Sequence, residues 1–482
     1  MARSLRTTLE RELKLGAGPG FILPALPGVT LEPRTFVSTY YDTPSRRLAA
    51  GGITLRLRTE DRKRLWQLKF PRAAARLELE LAGGGSAVPE EFLDLLYGHL
   101  RGEELAPAAT LRTRRHGIRV LDLEREIADV VLDRVTILDG RRTLSKLTEL
   151  EVELLEGRPR DLRRIADVLR SAGASNGDDR PKLFQALDLP APVPAPPVAA
   201  AAPPAEHVRS LLEEQYRAIL QHDPGTRLGH DSEELHQLRV ATRRLRALLR
   251  AARPLLASEW TAAVRGELDW LGGALAPVRD LDVLIEHLEQ EVADFERPDR
   301  RAATRLIESL AEERAEARQT LLAALRSARY LSLLDALERG CSATRLSTPD
   351  ISPREIARRE FRRLRRSVQS LGPEPADAEL HATRIMGKRA RYAAELAETT
   401  VGKPASEFVR RAKDFQDVVG EHQDAVVAEQ RLRELLRHTR GTHTGFAAGR
   451  LVERERARRR AARAAFPKTW ARLERSGLRA WQ

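Results

Sequence analysis

A single cysteine, Cys341, stands in 482 residues. No internal disulfide can form, and no cysteine or histidine group has the spacing of a zinc site. That usage fits a reducing compartment. Nowhere do about 18 apolar residues run together, so the sequence offers no helix to cross a bilayer, and its first residues lack the charged-then-apolar layout of a secretory signal. The expected location is the cytoplasm.

What is abundant is charge. Charged residues make up 32% and apolar ones 42%, the composition of a folded, arginine-rich protein rather than a disordered one. Lysine and arginine number 83 against 70 acids, a net charge of +13. The first 200 residues carry 32 basic and 28 acidic side chains and the remainder 51 and 42, so most of the excess lies in the second part. Such a balance points to a polyanionic partner, and charge alone leaves nucleic acid, inorganic polyphosphate and an anionic membrane open.

The length allows at least two cores, and residues 189–204, LPAPVPAPPVAAAAPP, mark where they part. Proline and alanine without amphipathic period read as an extended spacer. The expected organisation is a domain over 1–188, a linker over 189–205 and a second domain over 206–482 with repeats near 206–345 and 353–482.

The first domain reads as short alternating strands at 10–15, 38–41, 53–59, 65–70, 77–81, 112–114, 130–137 and 147–154, with helices at 89–98 and 159–172. In several strands one face is charged and the other apolar. Arg56 and Arg58 flank Leu57, Glu78 and Glu80 flank Leu79, and Glu149, Glu151 and Glu153 alternate with Leu150 and Val152. In Glu10-Arg11-Glu12-Leu13-Lys14, two carboxylates and an ammonium project to one side of a strand. Such faces either meet water in an open sheet or line the lumen of an eight-stranded barrel, where they suit a divalent metal and the phosphates it carries.

The second domain reads as helical nearly throughout and repeats itself. His236, Arg239, Arg243 and Arg246 recur 145 residues later as His381, Arg384, Lys388 and Arg391, and Arg265 recurs as Arg410. Positions 0, 3, 7 and 10 of a helix fall within about 80° of arc and span roughly 15 Å, so each set is one stripe. Acidic partners three or four residues away are mostly missing, unlike on an ordinary solvated helix. Two such stripes facing each other, in two similar bundles, predict a basic channel. It has no aromatic interleaving for stacking bases, which favours a backbone-only polyanion over nucleic acid. For the basic run 454–460, a solvated face of ion pairs is the better reading.

These motifs resemble known families. Glu10 to Lys14, Tyr40-Tyr41-Asp42-Thr43-Pro44, Leu55 to Arg58, Gln67-Leu68-Lys69 and Glu149 to Leu154 occur in the order seen in the CYTH domain. That superfamily of triphosphate tunnel metalloenzymes includes bacterial inorganic triphosphatases, thiamine triphosphatase and class IV adenylate cyclases. The duplicated histidine-led stripes resemble the CHAD domain, a helical domain associated with polyphosphate binding.

The resemblance implies an antiparallel β tunnel followed by duplicated helical bundles, and metal-dependent hydrolysis of inorganic triphosphate. Glu10, Glu12, Glu149, Glu151 and Glu153 would hold Mg²⁺ or Mn²⁺, with Glu10, Glu12, Lys14 and Glu151 catalytic. Arg56, Arg58, Lys69, Arg112, Arg114 and Lys182 would hold phosphates. His236, Arg239, Arg243, Arg246, Arg265, His381, Arg384, Lys388, Arg391 and Arg410 would bind polyphosphate. The family's usual serine before the last lysine is Pro181 here, and its usual threonine before Leu68 is Gln67. Two alternatives stay open: a catalytically idle polyphosphate-binding protein, and a triphosphatase acting on thiamine triphosphate, a nucleotide or an RNA 5′ end.

Overall fold

The computed structural model describes residues 5–18, 20–72, 75–191, 198–199, 202–256, 258–343, 351–438 and 441–481. The chain divides into two compact units, Met1–Ala195 and Pro196–Gln482. Parts of the predicted linker (192–197, 200 and 201) and of the predicted repeat junction (344–350) lie outside the described residues.

The first unit is built on ten strands: β1 (Arg6–Glu10), β2 (Glu12–Gly16), β3 (Gly28–Asp42), β4 (Thr54–Glu60), β5 (Lys63–Arg72), β6 (Ala75–Ala82), β7 (Ala106–Asp122), β8 (Arg125–Asp139), β9 (Arg142–Leu154) and β10 (Ser175–Asn176). All pairings are antiparallel, in the order β1-β6-β5-β4-β3-β7-β8-β9-β2-β10. This corrects the eight-stranded closed barrel, because the ladder has two free ends. The predicted first strand breaks at Arg11, so that β1 pairs with β6 at one end and β2 with β9 at the other. The ends are joined by the backbone through Arg11 rather than by hydrogen bonds between strands.

The sheet is inside out relative to most. Its apolar alternate residues point away from the concave face and are covered by helices. Leu15, Val130, Leu132, Leu150 and Val152 cluster with Ile165, Ala166 and Leu169 of α3 (Pro159–Ser171). Farther round, Leu55, Leu57, Trp66, Leu68, Leu79 and Leu81 are buried, as are Phe92, Leu95 and Leu96 of α2 (Glu90–Leu100). The short α1 (Arg47–Ala50) is capped by Asp42, whose carboxylate accepts from the amides of Thr43, Leu48 and Ala49 at 2.7–3.1 Å. At one end of the concave face, Tyr40, Leu111, Val135 and Ile137 pack on Leu183 and Phe184 of α4 (Lys182–Ala186), an apolar plug.

Several strands outrun expectation, two of them by more than ten residues. β3 has 15 residues and β7 has 17, where four and three were predicted. Pro33 and a register shift between Leu31 and Arg34 interrupt β3, and Gly117 interrupts β7, which hides their period.

The second unit is helical: α5 (Pro204–Leu228), α6 (Ser232–Ala251), α7 (Ser258–Glu291), α8 (Arg297–Leu325), α9 (Ala328–Ala343), α10 (Pro353–Gln369), α11 (Asp377–Val401), α12 (Lys403–His438) and α13 (Thr442–Ala480). The offset of 145 maps α6 onto α11, and it aligns Val208, Leu212, Tyr216 and Ile219 of α5 with Pro353, Ala357, Phe361 and Leu364 of α10, all buried. The repeats do not stand apart as two bundles. Leu238 and Leu245 of α6, Leu268 of α7, Ala390 and Ala393 of α11 and Phe408 and Phe415 of α12 belong to one cluster. Small residues let α11 approach closely, with a Cβ at Gly387 placed only 3.1 Å from the Phe415 ring.

A Cβ at Gly117 would lie 2.4 Å from the carbonyl oxygen of Val130 on β8, which is backbone and has little room to yield. Gly117→Ala should therefore cost about 2 kcal/mol of stability. Hydrogen exchange of the β7 and β8 amides against urea would measure it, and unchanged protection would refute the close approach.

Candidate functional site

The concave face of the sheet encloses a cavity of about 200 Å³. Seven carboxylates and eight cationic side chains line it. Strand alternation delivers them: Glu10 from β1, Glu12 and Lys14 from β2, Arg56 and Arg58 from β4, Lys69 from β5, Glu151 and Glu153 from β9, and Lys182 from the start of α4. These nine predicted residues converge. Glu149 sits deeper, bonded to Lys14 at 2.9 Å and to Lys182 at 2.6 Å.

Arg112 and Arg114 do not converge, which corrects their assignment as phosphate ligands. Both are exposed on the convex side, because Leu111, Thr113 and Arg115 take the inward parity of β7. Arg115 is the residue that sequence reasoning missed. Its guanidinium holds Asp133 at 2.6 Å and Glu151 at 2.8 Å. Asp133, fully buried on β8, also meets Lys182 at 2.9 Å. No local signal pointed to Arg115, because Leu111 is an apolar residue on the inward parity, against the rule that the rest of the sheet follows.

Gln67, which stands in place of a threonine, has a defined role. Its side-chain oxygen accepts from Arg56 at 2.8 Å, and its amide donates to Glu78 at 3.0 Å and Glu80 at 2.7 Å. Arg56 also donates to the Tyr40 hydroxyl at 3.1 Å. Arg58 lies over the Phe36 ring, 3.8 Å from its centroid. Lys69 binds Glu10, with Glu78 at 3.3 Å. Pro181 caps α4 through its carbonyl, which accepts from the amides of Phe184 and Gln185, so Lys182 enters the cavity without a neighbouring hydroxyl.

The cavity is electrically divided. Burial alone would push Glu151 up, but Lys182, Lys14 and Arg115 hold it well below the usual carboxylate range. Burial opposes the charge on Lys182, yet Asp133, Glu151 and Glu149 hold its pKa well above that of an ordinary lysine. Toward β1 the balance reverses. Glu153 has no ion pair among the described residues, faces Glu12 across the β2–β9 ladder, and is pushed up to about 7 by burial and then by Glu10. Crowded carboxylates without a cation of their own are the chemistry of a hard-cation site. Among the described residues, no three acidic or imidazole side chains gather closely enough to hold an ion by themselves.

In the helical unit the two stripes lie side by side on α6 and α11. Lys388 is pulled down to about 7 by burial and then by Arg384, Arg243, Arg391 and Arg239, cations from both stripes. Some expected isolation is lost. Asp280 of α7 takes Arg239 at 2.6 Å, Asp269 takes Arg246, and Glu395 lies 3.5 Å from Arg391. Asp280 and Asp269 arrive from the neighbouring α7, whereas Glu395 stands four residues on from Arg391 within α11 itself. Arg243, Arg384 and Lys388 have no acidic partner within salt-bridge distance among the described residues. His236 is half-buried and its pKa is lowered, by burial and then Arg279, while His381 bonds Gln423 at 2.8 Å. Arg265 lines a cavity with Arg243, Arg246 and Lys388, whereas its repeat partner Arg410 is exposed and turned onto Glu407. Arg410 therefore leaves the predicted set. In the basic run, Arg456 and Arg459 are neutralised by Glu429 and Asp377.

The CYTH domain family matches residues 10–183 and the CHAD domain family residues 210–433. The chain is thus a CYTH domain followed by a CHAD domain. The CYTH family includes triphosphatases and adenylate cyclases, and its tunnel enzymes depend on a divalent metal. Similar over most of the length are uncharacterised proteins from two strains of Mycobacterium tuberculosis, each 29% identical over 486 residues and covering 93% of both chains. Among solved structures, PptA from Streptomyces chartreusis is 25% identical, covering 56% of this chain and 100% of its own, at a TM-score of 0.48. The CHAD domain of Ricinus communis is 25% identical over 60% of this chain and 96% of its own, at 0.42. HpAC1 from Hippeastrum, described as having a dominant triphosphatase activity, is 16% identical over 37% of this chain and 95% of its own, at 0.24. No described helix is long and apolar enough to cross a membrane.

Because folding raises the pKa of Glu153 from 4.5 to about 7, the native state binds the extra proton between those values. Stability from this group is present below pH 4.5 and is lost as pH rises through 7. In metal-free protein, Glu153→Gln should raise the melting temperature at pH 8 and leave it unchanged at pH 4.5. Melting curves at the two pH values check this, and equal shifts at both would contradict it.

Proposed function

We propose that the first unit hydrolyses inorganic triphosphate with a divalent metal, and that the helical unit binds polyphosphate. The observation that carries the first part is the mixture of charges in one small cavity. With seven carboxylates against eight cations, the lining does not attract a bare polyanion strongly. A phosphate chain bearing its own metal ion satisfies both signs at once.

The residues fit such an ion. Glu10, Glu12 and Glu153 would hold it, with phosphate oxygens and water completing the shell, as Mg²⁺ and Mn²⁺ sites commonly do. The ion would supply charge neutralisation at the phosphates and a more acidic water. Arg56, Arg58, Arg115, Lys14, Lys69 and Lys182 would orient the chain and stabilise charge on the transferred phosphoryl group. Glu149 and Asp133 would keep Lys14, Lys182 and Arg115 in place.

Inorganic triphosphate is favoured over a nucleotide by the lining itself. Among the described residues Tyr40 is its only aromatic side chain, and the Tyr40 hydroxyl already accepts from Arg56. The plug of Leu183 and Phe184 leaves no apolar slot for a base or thiazole ring.

Glu10→Ala together with Glu12→Ala should lower turnover of tripolyphosphate by at least about 10³-fold while leaving the fold intact. Phosphate release with Mg²⁺ and with Mn²⁺, across tripolyphosphate, thiamine triphosphate and ATP, is the measurement. Undiminished metal-stimulated release would sink the assignment. Binding of tripolyphosphate by the parent protein without hydrolysis of any of the three would favour an idle binding module.

For the helical unit, Arg384 is the telling residue, because its buried Nε has no hydrogen-bond partner. Arg239→Glu with Arg384→Glu should weaken retention of long-chain polyphosphate by at least about tenfold more than Arg456→Glu with Arg459→Glu, at the same change in net charge. Filter retention by the full chain at two salt concentrations decides. Equal losses would mean that bulk charge alone is sensed.

A further inference from the structure

An exact duplication would build every cavity of the helical unit twice. One of them, among the described residues, has a lining whose charge the other copy does not repeat. Beside the ends of the two stripes lies a cavity of about 930 Å³ between α6 and α7 of the first repeat and α10 and α11 of the second. Nine basic and two acidic side chains line it. Both acids are taken, Asp269 by Arg246 and Glu360 by Arg363. Arg243, Arg250, Arg253, Arg265, Lys388 and Arg389 have no acidic partner within salt-bridge distance among the described residues.

At the positions related by 145 residues five of the nine bases stay basic, but three become acidic, as does the neutral Ala262 of the lining. Arg250 becomes Glu395, Arg253 becomes Glu398, Ala262 becomes Glu407, and Arg359 of α10 corresponds to Glu214 of α5. There, Glu395 meets Arg244 at 3.2 Å and Arg391 at 3.5 Å, and Glu407 takes Arg410 and Arg411. The second copy has neutralised itself, while the first has kept its cations exposed to one another. Burial, then Arg250, Arg246 and Arg253, lowers the pKa of Arg265. Mutual repulsion of this kind is a standing cost that a bound anion removes.

The remaining lining is apolar. Ala247, Ala251, Ile351, Ile356 and Ile385 lie among the guanidinium groups, and Ile385 is 38% exposed there. The lining also holds buried polar atoms with no partner, the Tyr392 hydroxyl, with its side chain almost wholly buried, and the Nε groups of Arg265 and Arg389. A linear phosphate chain has no use for an apolar floor. The volume is within the usual range for a small-molecule site.

We propose that this cavity is a separate site for a nucleoside polyphosphate, its phosphates held by Arg250, Arg253, Arg265 and Arg389 and its base and sugar set against Ile385, Ala251 and Tyr392. Guanidinium forks match phosphate oxygens, and the unpartnered hydroxyl supplies a hydrogen bond to the base or sugar. The site does not depend on polyphosphate binding in the groove, with which the cavity shares Arg243, Arg246 and Lys388.

The test is calorimetry with ATP as probe on the full-length protein, without divalent metal and in an Arg58→Gln, Lys69→Gln background, so that the tunnel loses two of the cations that would hold phosphate. ATP should bind, and tripolyphosphate should compete at least about tenfold less well, a difference of roughly 1.4 kcal/mol. Arg265→Gln with Arg389→Gln should weaken ATP at least about tenfold, whereas Arg410→Gln with Arg411→Gln, the same loss of charge on the neutralised copy, should leave it unchanged. Ile385→Glu, at a partly exposed position, should abolish ATP binding while long-chain polyphosphate is still retained. Circular dichroism and melting curves establish that each variant is folded. No binding of ATP at millimolar concentration, tripolyphosphate binding as tightly as ATP, equal losses from the two arginine pairs, or unchanged affinity in the folded Ile385 variant would each overturn the proposal. Polyphosphate retention is read separately, so failure of the groove reading leaves a different signature.

Discussion

Everything in the first unit depends on putting charge on the concave side of a sheet. A carboxylate or ammonium taken out of water loses several kcal/mol of solvation unless an opposite charge and hydrogen bonds replace it. Each inward charge therefore constrains its neighbours on the adjoining strands. Glu151 is met by Lys182, Lys14 and Arg115, and Glu10 by Lys69. The apolar residues displaced from the inside must then be covered from outside, which is the work of α2 and α3. Near Glu12 and Glu153 the compensation is incomplete, and that gap is what turns a packed interior into a receptive one.

The same principle separates the two repeats of the helical unit. Cations brought together by the approach of α6 and α11 can be balanced from within the protein or left for a ligand. Glu395 and Glu407 represent the first solution, and the cluster around Arg250 and Arg265 the second. Duplication supplied two equivalent scaffolds, and substitution of a few side chains on their rims made them unequal without disturbing the shared core. The buried partners Tyr216 and Phe361, or Ile219 and Leu364, stayed apolar throughout.

Local period was legible wherever it was clean. Glu10-Arg11-Glu12-Leu13-Lys14 and Glu149 to Leu154 alternate without interruption, and their residues meet in space as the pattern demands. The segment Leu111-Arg112-Thr113-Arg114-Arg115 carries basic residues on both parities, and Leu111, turned inward onto the plug, breaks the rule that elsewhere puts apolar residues outside, so the pattern pointed to the wrong pair. The break at Arg11 was invisible, because five alternating residues read as one strand whether they serve one neighbour or two. Non-local acids were equally hidden: Asp280 lies 41 residues from Arg239, and no spacing rule within a helix reaches that far. The match of the chain to the two families was legible because it rests on several short motifs in order rather than on any one of them.

The bend at Arg11 also bears on the order of synthesis. β1 and β2 emerge first, yet β2 must wait for β9, whose Glu151 pairs with Lys14 across 137 positions of chain. Neither end of the sheet can be tied to the other until nearly the whole unit has left the ribosome, so its half-made concave face, charged and unpaired, stays in water during that interval. A lumen built of glutamate, arginine and lysine is well suited to that delay, because the side that waits is the side water already solvates.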